Sequence, residues 1–418
     1  MFCELTSYGR TVKVLALVAV PPGVVIAILP VFASVGTVAV TCESEFTVKA
    51  VALTPPNVTL DACVRPLPVI TTEVPTVPLV GLKLRRAGTT VNTLLLVRVP
   101  VGVDPTGAET VLHSFGAQST DGYGPGGLTL DSAGNLYGTT EFGGAYRSGT
   151  VFKVTPDGTE IVLYSFGATL TDGLNPFAGV ILDSAGNLYG TTADGGSLRN
   201  GTVFRVDPSG TETVLYSFAG YPSDGATPTG SLVRDAAGNL YGTTSSGGSM
   251  NYGVVFKLDA TGKETLLHDF VGLADGATPG DLVRDASGNL YGPAGAGGVG
   301  RCGVVFKVDT TGKLTLLHTF TGHGDGSGPG SLTLYKGDLY GTTGYGGAPI
   351  CNFREGIGCG VVFKLNTSGK LTVLYQLTGG KDGATPVSVL AHDNEDNWYG
   401  AAASGGSEGD GVVFMVKP

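Results

Sequence analysis

Six Asp-Gly pairs recur along the chain at similar intervals, and carboxylates that repeat in this way could hold a metal ion. Their aspartates are Asp121, Asp172, Asp224, Asp275, Asp325 and Asp382. If the copies surround a common axis, the six side chains could ring it and bind a cation through oxygen ligands. A bent Asp-Gly turn, followed by proline in several copies, explains the same pattern without a ligand. We therefore predict no metal and no cofactor, with the carboxylate ring as the weaker alternative.

A second set of aspartates lies three residues before a glycine, as in "DSAGN" and "DAAGN". Its members are Asp131, Asp183, Asp235 and Asp285. A calcium loop is one interpretation of these carboxylates. An aspartate that caps its own turn, with glycine in the left-handed conformation, accounts for the spacing without metal. We predict tight turns at these positions.

The remaining polar motifs give little support to catalysis. Three histidines occupy one register of the repeat, and tyrosines occupy it in other copies, so we predict packing positions there: His113, His268 and His318, with Tyr164, Tyr216 and Tyr375. The "TGKE" and "TGKL" segments lack the glycine spacing and the Ser or Thr of a phosphate-binding loop. We find no Ser, His and Asp arrangement that suggests a triad. An enzyme is therefore the less favoured interpretation.

The six cysteines are too widely spaced for a zinc cluster. Cys351 and Cys359 bracket "NFREGIG", the one long insertion in the repeats. They could close that insertion as a disulfide if the protein is exported. Two free thiols remain the alternative.

The elements that must position these residues belong to one repeated unit. "AGNLYGTT" occurs at residues 133–140, 185–192 and 237–244, and degenerate copies extend the series to six. The spacing of roughly 50 residues is that of β-propeller blades. Within each unit, four β-branched or aromatic segments alternate with glycine-rich turns, which predicts a four-stranded antiparallel meander.

The phase of the repeats predicts how the ring closes. The last unit supplies only three strands and ends at "GVVFMVKP", whereas a segment of the fourth-strand type, Ala108 to Phe115, precedes the first unit. Pairing the two would complete six blades and remove the exposed edges. We therefore predict an all-β fold, a six-bladed β-propeller of four-stranded antiparallel blades closed by an N-terminal strand.

The loop between the second and third strands varies most from unit to unit, so it is free to serve a ligand. These loops contain aromatic and arginine side chains typical of recognition surfaces. The candidate ligand-binding residues are Tyr146, Arg147, Arg199, Tyr252, Arg301, Phe353 and Arg354. Solvated loops without a ligand are the alternative.

The residue composition and the extent of the repeats indicate two regions in the chain, and the net charge argues against nucleic acid as a partner. The chain has 418 residues, and 35 acidic against 25 basic side chains give a net charge of -10, which argues against nucleic acid. Residues 1–103 do not repeat and are rich in Val, Thr and Pro, whereas residues 104–418 form the predicted propeller. An apolar run after Lys13 resembles an export signal, but Pro21 and Pro22 interrupt it. It could instead belong to a stalk, a short β-rich segment or an unreliable extension, so no firm transmembrane segment is predicted.

The unit "VFKVxxxGxxxVLYSFxxxxDGxxPxxxLxxDxxGNLYGTTxxGG" resembles the GloVer tandem repeat of bacterial choice-of-anchor proteins. The resemblance implies a secreted or surface-displayed protein without an established activity. We therefore expect an extracellular or cell-surface, non-enzymatic binding or scaffolding module, monomeric, with a surface glycan or protein as partner. The alternative is a propeller hydrolase or lyase acting on sugars or lactones at an axial carboxylate or metal site.

Overall fold

The computed structural model describes residues 111–116, 120–347, 359–386 and 388–418, together with the backbone of several strands before residue 98. The chain divides into two compact units, Met1–Thr110 and Val111–Pro418. The boundary predicted after residue 103 lies a few residues before this division.

The first unit contains short antiparallel strands in its described parts. They are β1 (Cys3–Glu4), β2 (Arg10–Lys13), β3 (Leu15–Ala16), β4 (Pro30–Ala33), β5 (Val38–Cys42), β6 (Val48–Ala52), β7 (Val58–Leu60), β8 (Val80–Arg86) and β9 (Thr89–Val97). β1 pairs with β3, β2 with β4, β6 with both β5 and β7, and β8 with β9. Apart from these strands, the residues on which the export-signal and stalk predictions depend lie outside the described part of the chain.

The second unit is all-β, and its strands form six small sheets in a ring. The first three blades contain β10 (Gly122–Pro125), β11 (Thr129–Leu130), β12 (Leu136–Gly143), β13 (Thr150–Val154) and β14 (Glu160–Ser165); β15 (Gly173–Leu174), β16 (Ile181–Leu182), β17 (Leu188–Thr192), β18 (Asp194–Gly195), β19 (Thr202–Val206) and β20 (Glu212–Ser217); and β21 (Gly225–Ala226), β22 (Val233–Arg234), β23 (Leu240–Thr244), β24 (Ser246–Gly247), β25 (Val254–Leu258) and β26 (Glu264–Asp269).

The last three blades continue the same order. They contain β27 (Ala277–Pro279), β28 (Val283–Arg284), β29 (Leu290–Ala296), β30 (Val304–Val308) and β31 (Leu314–Thr319); β32 (Ser327–Tyr335), β33 (Asp338–Tyr345), β34 (Val361–Asn366) and β35 (Leu371–Gln376); and β36 (Ala384–Pro386), β37 (Ala391–His392), β38 (Trp398–Ser404) and β39 (Val412–Val416). Neighbouring strands pair antiparallel. The predicted six-bladed propeller is confirmed.

The repeated "NLYGTT" segment holds each blade together and ties it to the next. In the second blade, Gly190 faces Phe204 across the strand pair, and a Cβ at Gly190 would lie 2.6 Å from the phenylalanine ring. The hydroxyl of Thr191 donates a hydrogen bond to the carbonyl of Gly230 in the following blade, at 3.2 Å. Glycine and threonine are therefore each required by contacts that recur from blade to blade, which explains why the segment is repeated.

Rows of phenylalanine form the core between consecutive blades. In each row, a phenylalanine that follows the fourth strand packs against one in the third strand of the next blade, with ring centroids 4.9 to 5.4 Å apart. The pairs are Phe166 with Phe204, Phe218 with Phe256, Phe270 with Phe306, and Phe320 with Phe363. Because third strands are covered on both faces, their residues are buried almost without alternation.

The interface between the last and first blades differs from the other five. Phe115 packs against Phe152 at 4.8 Å, as the fourth-strand phenylalanines do elsewhere, so the segment before the first blade lies where the prediction places it. Residues 111–116 nevertheless contain no strand, and residues 108–110 lie outside the described part. Val413 of β39 is 76% exposed although its equivalents, such as Val151, are fully buried. Leu128 is 53% exposed, whereas its equivalent Val180 is 2% exposed, so this interface, which we call the seam, is less completely covered than the others.

Candidate functional site

Four of the variable loops have the same backbone conformation, which is held by hydrogen bonds. In the first blade, the amide of Arg147 donates to the carbonyl of Gly144 and the amide of Gly149 to that of Gly143. Arg147, Arg199, Asn251 and Arg301 occupy the same register, with φ angles of 62°, 61°, 60° and 56°. The left-handed region is uncommon for side chains other than Asn, Asp and Gly. The backbone bonds fix this conformation, and all four side chains are exposed.

Contacts from the next blade hold these loops in place. The amide of Asn175 donates to the carbonyl of Ser148, and that of Thr227 to the carbonyl of Asn200, each at 2.9 Å. A variable loop is thus bonded both within its own blade and to the following one. Its exposed side chains are presented from a backbone that needs no ordering when a ligand binds.

The loops that join one blade to the next lie beside the variable loops. Asn200 donates a side-chain hydrogen bond to the carbonyl of Ala219 at 2.9 Å. Gly272 lies so close to the ring of Tyr252 that a Cβ there would be 2.6 Å from it. We call the two sets together the loop face, comprising the described residues 143–149, 195–201, 247–253, 297–303 and 405–411 and the joining loops 167–171, 219–223, 271–274, 321–324 and 378–381.

The loop face exposes more apolar surface than the sequence prediction included. Tyr146 and Tyr252 are 54% and 41% exposed, and their role in binding stays a prediction. Apolar side chains that the prediction missed are also exposed on this face: Leu170, Leu198, Tyr221, Met250, Leu273 and Val299. The register of the repeat could have identified Leu198 and Met250, because they align with Tyr146.

The long insertion is largely outside the described residues. Phe353, Arg354 and Cys351 all lie there, so their predicted roles stay predictions. Cys359 is disulfide-bonded. Cys302 is the free cysteine among the described residues. The pairing of Cys359 with Cys351 remains the sequence-based prediction.

The Asp-Gly carboxylates are each held by their own surroundings. Asp172 accepts hydrogen bonds from the hydroxyl of Tyr164 at 2.9 Å and from the amides of Gly167 and Ala168. Asp275 accepts from the amides of Val271 and Gly272. Within the described residues, no three members of the series approach one another closely enough to share a metal ion. The geometry therefore agrees with the turn interpretation.

The histidine and tyrosine register does more than pack. His268 contacts Phe270 edge-to-face at 4.8 Å, which confirms the packing prediction. Its Nε2 also lies 2.9 Å from Asp275, and Tyr216 donates to Asp224 at the same distance. The outer strand is thereby joined to the loop that leads into the next blade.

The "DxxGN" aspartates are turn caps. The carboxylate of Asp183 accepts hydrogen bonds from the amides of Ala185 and Asn187 and from the side chains of Asn187 and Tyr189. Burial alone would raise the pKa of Asp183, but the hydrogen bonds from Asn187 and Tyr189 outweigh it and hold the pKa below its usual value. A carboxylate fully used by its own turn has little capacity left for calcium.

Two glutamates lie in surroundings that raise their pKa well above the usual value. Burial, together with the charge of Asp172, raises the pKa of Glu212 to about 7. Burial and the charge of Asp224 act in the same way on Glu264, whose pKa is also about 7. Each glutamate begins the outer strand of one blade and faces the joining loop of the blade before.

A cleft of about 430 Å³ lies where the fifth copy breaks the repeat with "YKGDLY". Its lining includes Lys336 and Lys364, whose ammonium groups lie 2.9 Å from Asp396 and 2.8 Å from Asp338. Because both lysines are paired with carboxylates, the cleft does not form a concentrated cationic site.

In the part of the chain that the structure describes, no helix has the length and apolar character needed to cross a bilayer.

Comparison with known sequences identifies the family. The pattern of the Gloeobacter/Verrucomicrobia repeat matches residues 101–283 and 282–418. The chain belongs to this repeat family. The resemblance drawn from the repeated unit is thereby confirmed. No curated protein matches the chain.

Three solved structures are similar to parts of this chain. A gluconolactonase from Xanthomonas campestris is 16% identical, with a TM-score of 0.43 over 71% of this chain and 87% of that one. The extracellular domain of a putative hybrid two-component system from B. thetaiotaomicron is 12% identical, with a TM-score of 0.45 over 69% of this chain and 33% of that one. A putative gluconolactonase is 14% identical, with a TM-score of 0.40 over 71% and 89%. Identities this low say nothing about a shared activity.

Proposed function

We propose that the protein is a non-enzymatic binding module whose ligand contacts the loop face. The observation that carries the proposal is the repeated, backbone-fixed left-handed conformation at one register of the variable loops, with arginine in three of the five described copies and Asn251 and Gly409 in the other two. A rigid surface of this kind loses little conformational entropy on binding. Aromatic and arginine side chains are also the types that dominate binding energies at interfaces.

The chemistry of the loop face favours a ligand with carboxylate or sulfate groups. A guanidinium group pairs with such groups through two parallel hydrogen bonds, which an ammonium group cannot do. The net charge of -10 disfavours indiscriminate binding of polyanions, so recognition would depend on the arginines at their fixed spacing. A surface glycan or a protein carrying such groups fits this description.

An extracellular or cell-surface location is part of the same proposal. It is supported by the disulfide bond at Cys359, because disulfides persist mainly in oxidising compartments. The hydrolase or lyase alternative has less support, since the Asp-Gly carboxylates are bonded within their own surroundings instead of converging on a substrate.

The proposal is tested with an array of sulfated, carboxylated and neutral glycans probed with the full chain. Binding should be restricted to the anionic probes. Absence of binding to every anionic probe, or equal binding to the neutral ones, would contradict the proposal. Turnover of a sugar or lactone probe would favour the enzymatic alternative.

A further inference from the structure

One group of metal-ligand side chains comes together in the described residues, at the seam where the ring should close. It consists of His113 from the segment before the first blade, Asp121 from the joining loop and Glu160 from the first residue of β14. Their ligand atoms all lie within 4.8 Å of one another. The side chains are only 22%, 5% and 12% exposed.

This combination does not recur at the other described interfaces. At Tyr164 and Tyr216, the outer strand has a phenol where His113 has an imidazole, although Glu212 and Glu264 supply the carboxylate. At His268 and His318, the imidazole is present, but Leu314 and Leu371 replace the glutamate. Among the described residues, one imidazole meets two carboxylates at the seam alone, and this breaks the symmetry of the repeat.

The distances at the seam differ from those of an ordinary histidine and aspartate pair. Nε2 of His268 lies 2.9 Å from Asp275, and that of His318 lies 3.2 Å from Asp325, which are hydrogen-bonding separations. Nε2 of His113 is 3.7 Å from Asp121 and 3.8 Å from Glu160. Ligand atoms about 2.1 Å from a tetrahedral zinc ion are roughly 3.4 Å apart, so the spacing at the seam is close to that of metal ligands.

Two buried polar atoms at the seam point to a ligand. Nε2 of His113 and Oε1 of Glu160 are inaccessible to solvent and make no hydrogen bond. Edge-to-face packing on Phe115, at 4.7 Å, fixes the plane of the imidazole and directs Nε2 toward the carboxylates. Asp121 is held by the amide of Gly116 at 2.7 Å.

We propose that His113, Asp121 and Glu160 bind one divalent transition-metal cation of the zinc class, which fastens residues 111–116 to the first blade. One neutral imidazole and two carboxylates neutralise a divalent charge and leave a fourth position for water. Imidazole favours zinc over calcium, which prefers six to eight oxygen ligands. The competing explanation for the proximity of Asp121 and Glu160 is a proton shared between the two carboxylates.

The experiment measures zinc binding and thermal stability of the full chain. After removal of metal with a chelator, equilibrium dialysis should load one equivalent of Zn²⁺. The melting temperature should rise by roughly 4 °C at a free concentration about 100 times the dissociation constant. Ca²⁺ at the same concentration should leave the melting temperature unchanged.

Matched variants separate the metal site from general destabilisation. His113→Tyr introduces the residue found at this register in other blades, and Glu160→Gln preserves the shape of the side chain. Both should abolish zinc loading and the zinc-dependent shift, whatever their effect on the metal-free protein. His268→Tyr and Glu212→Gln are the controls at equivalent positions, and both should retain the shift. Failure of the wild type to load zinc would overturn the proposal in favour of the shared proton. Retention of the shift in Glu160→Gln would overturn it by showing that zinc binds elsewhere.

Discussion

Replacing Gly190 by alanine tests the packing that defines every blade. The added Cβ would lie 2.6 Å and 2.9 Å from two atoms of the Phe204 ring, and 3.2 Å from a methyl group of Val180. Phe204 is fully buried and packs against Phe166 at 4.9 Å, so it has little space into which to move. Overpacking of this kind costs about 2 kcal/mol. For a unit of about 300 residues, this corresponds to a fall in melting temperature of roughly 3 °C.

The control for Gly190→Ala is Gly344→Ala, which also lies in a strand. The nearest atom to a Cβ at Gly344 is 3.8 Å away, so alanine fits there and should leave the melting temperature unchanged or slightly higher. Phe204→Leu should rescue Gly190→Ala in part, because the smaller side chain frees the space that the Cβ requires. Thermal unfolding followed by circular dichroism measures all three variants. Equal melting temperatures for the two alanine variants would refute the packing argument.

Two further outcomes follow from the electrostatics and the cysteines. Glu212→Gln should raise the melting temperature at pH 8 and have little effect at pH 5. The folded-state pKa of about 7 lies above the ordinary value of 4.5, so the wild type loses stability as pH rises through this interval. Melting curves at the two pH values check this, and equal effects at both would contradict it. In material from an oxidising compartment, peptide mapping should find Cys351 bonded to Cys359, a bond worth on the order of 2 to 3 kcal/mol. Cys351 recovered as a free thiol would contradict that pairing.

The sequence alone was sufficient to predict the features that depend on short-range pattern. The six blades and the capped turns at Asp131 and Asp183 follow from strand periodicity and from turn chemistry within a few residues. The exposed loop arginines could be located for the same reason, because the repeat aligns Arg147 with Arg199. Their fixed left-handed backbone was not visible in the pattern.

Features that depend on contacts between blades could not be predicted in this way. The bond between His268 and Asp275 joins an outer strand to a loop, so the histidine looked like a packing residue only. Glu160 lies at the start of β14 and His113 in the segment before the first blade, and no motif links the two positions. The exposure of Val413 depends on how the last blade meets the first, although its sequence context is the same as that of Val151.

The most direct test of the binding proposal removes the loop arginines without disturbing their backbone. The triple variant Arg147→Asn, Arg199→Asn and Arg301→Asn uses the residue that the repeat itself has at Asn251, where φ is 60°. The control is Lys263→Ala, Lys313→Ala and Lys370→Ala, which removes the same charge from exposed turns between third and fourth strands. Affinity for the tightest anionic glycan probe is measured by calorimetry, together with the melting temperature. The arginine variant should bind at least tenfold more weakly, as expected for the loss of about 1.4 kcal/mol or more, while the control binds as the wild type does and neither change lowers the melting temperature. Equal affinities for the two triple variants would contradict the assignment of the loop face as the binding site.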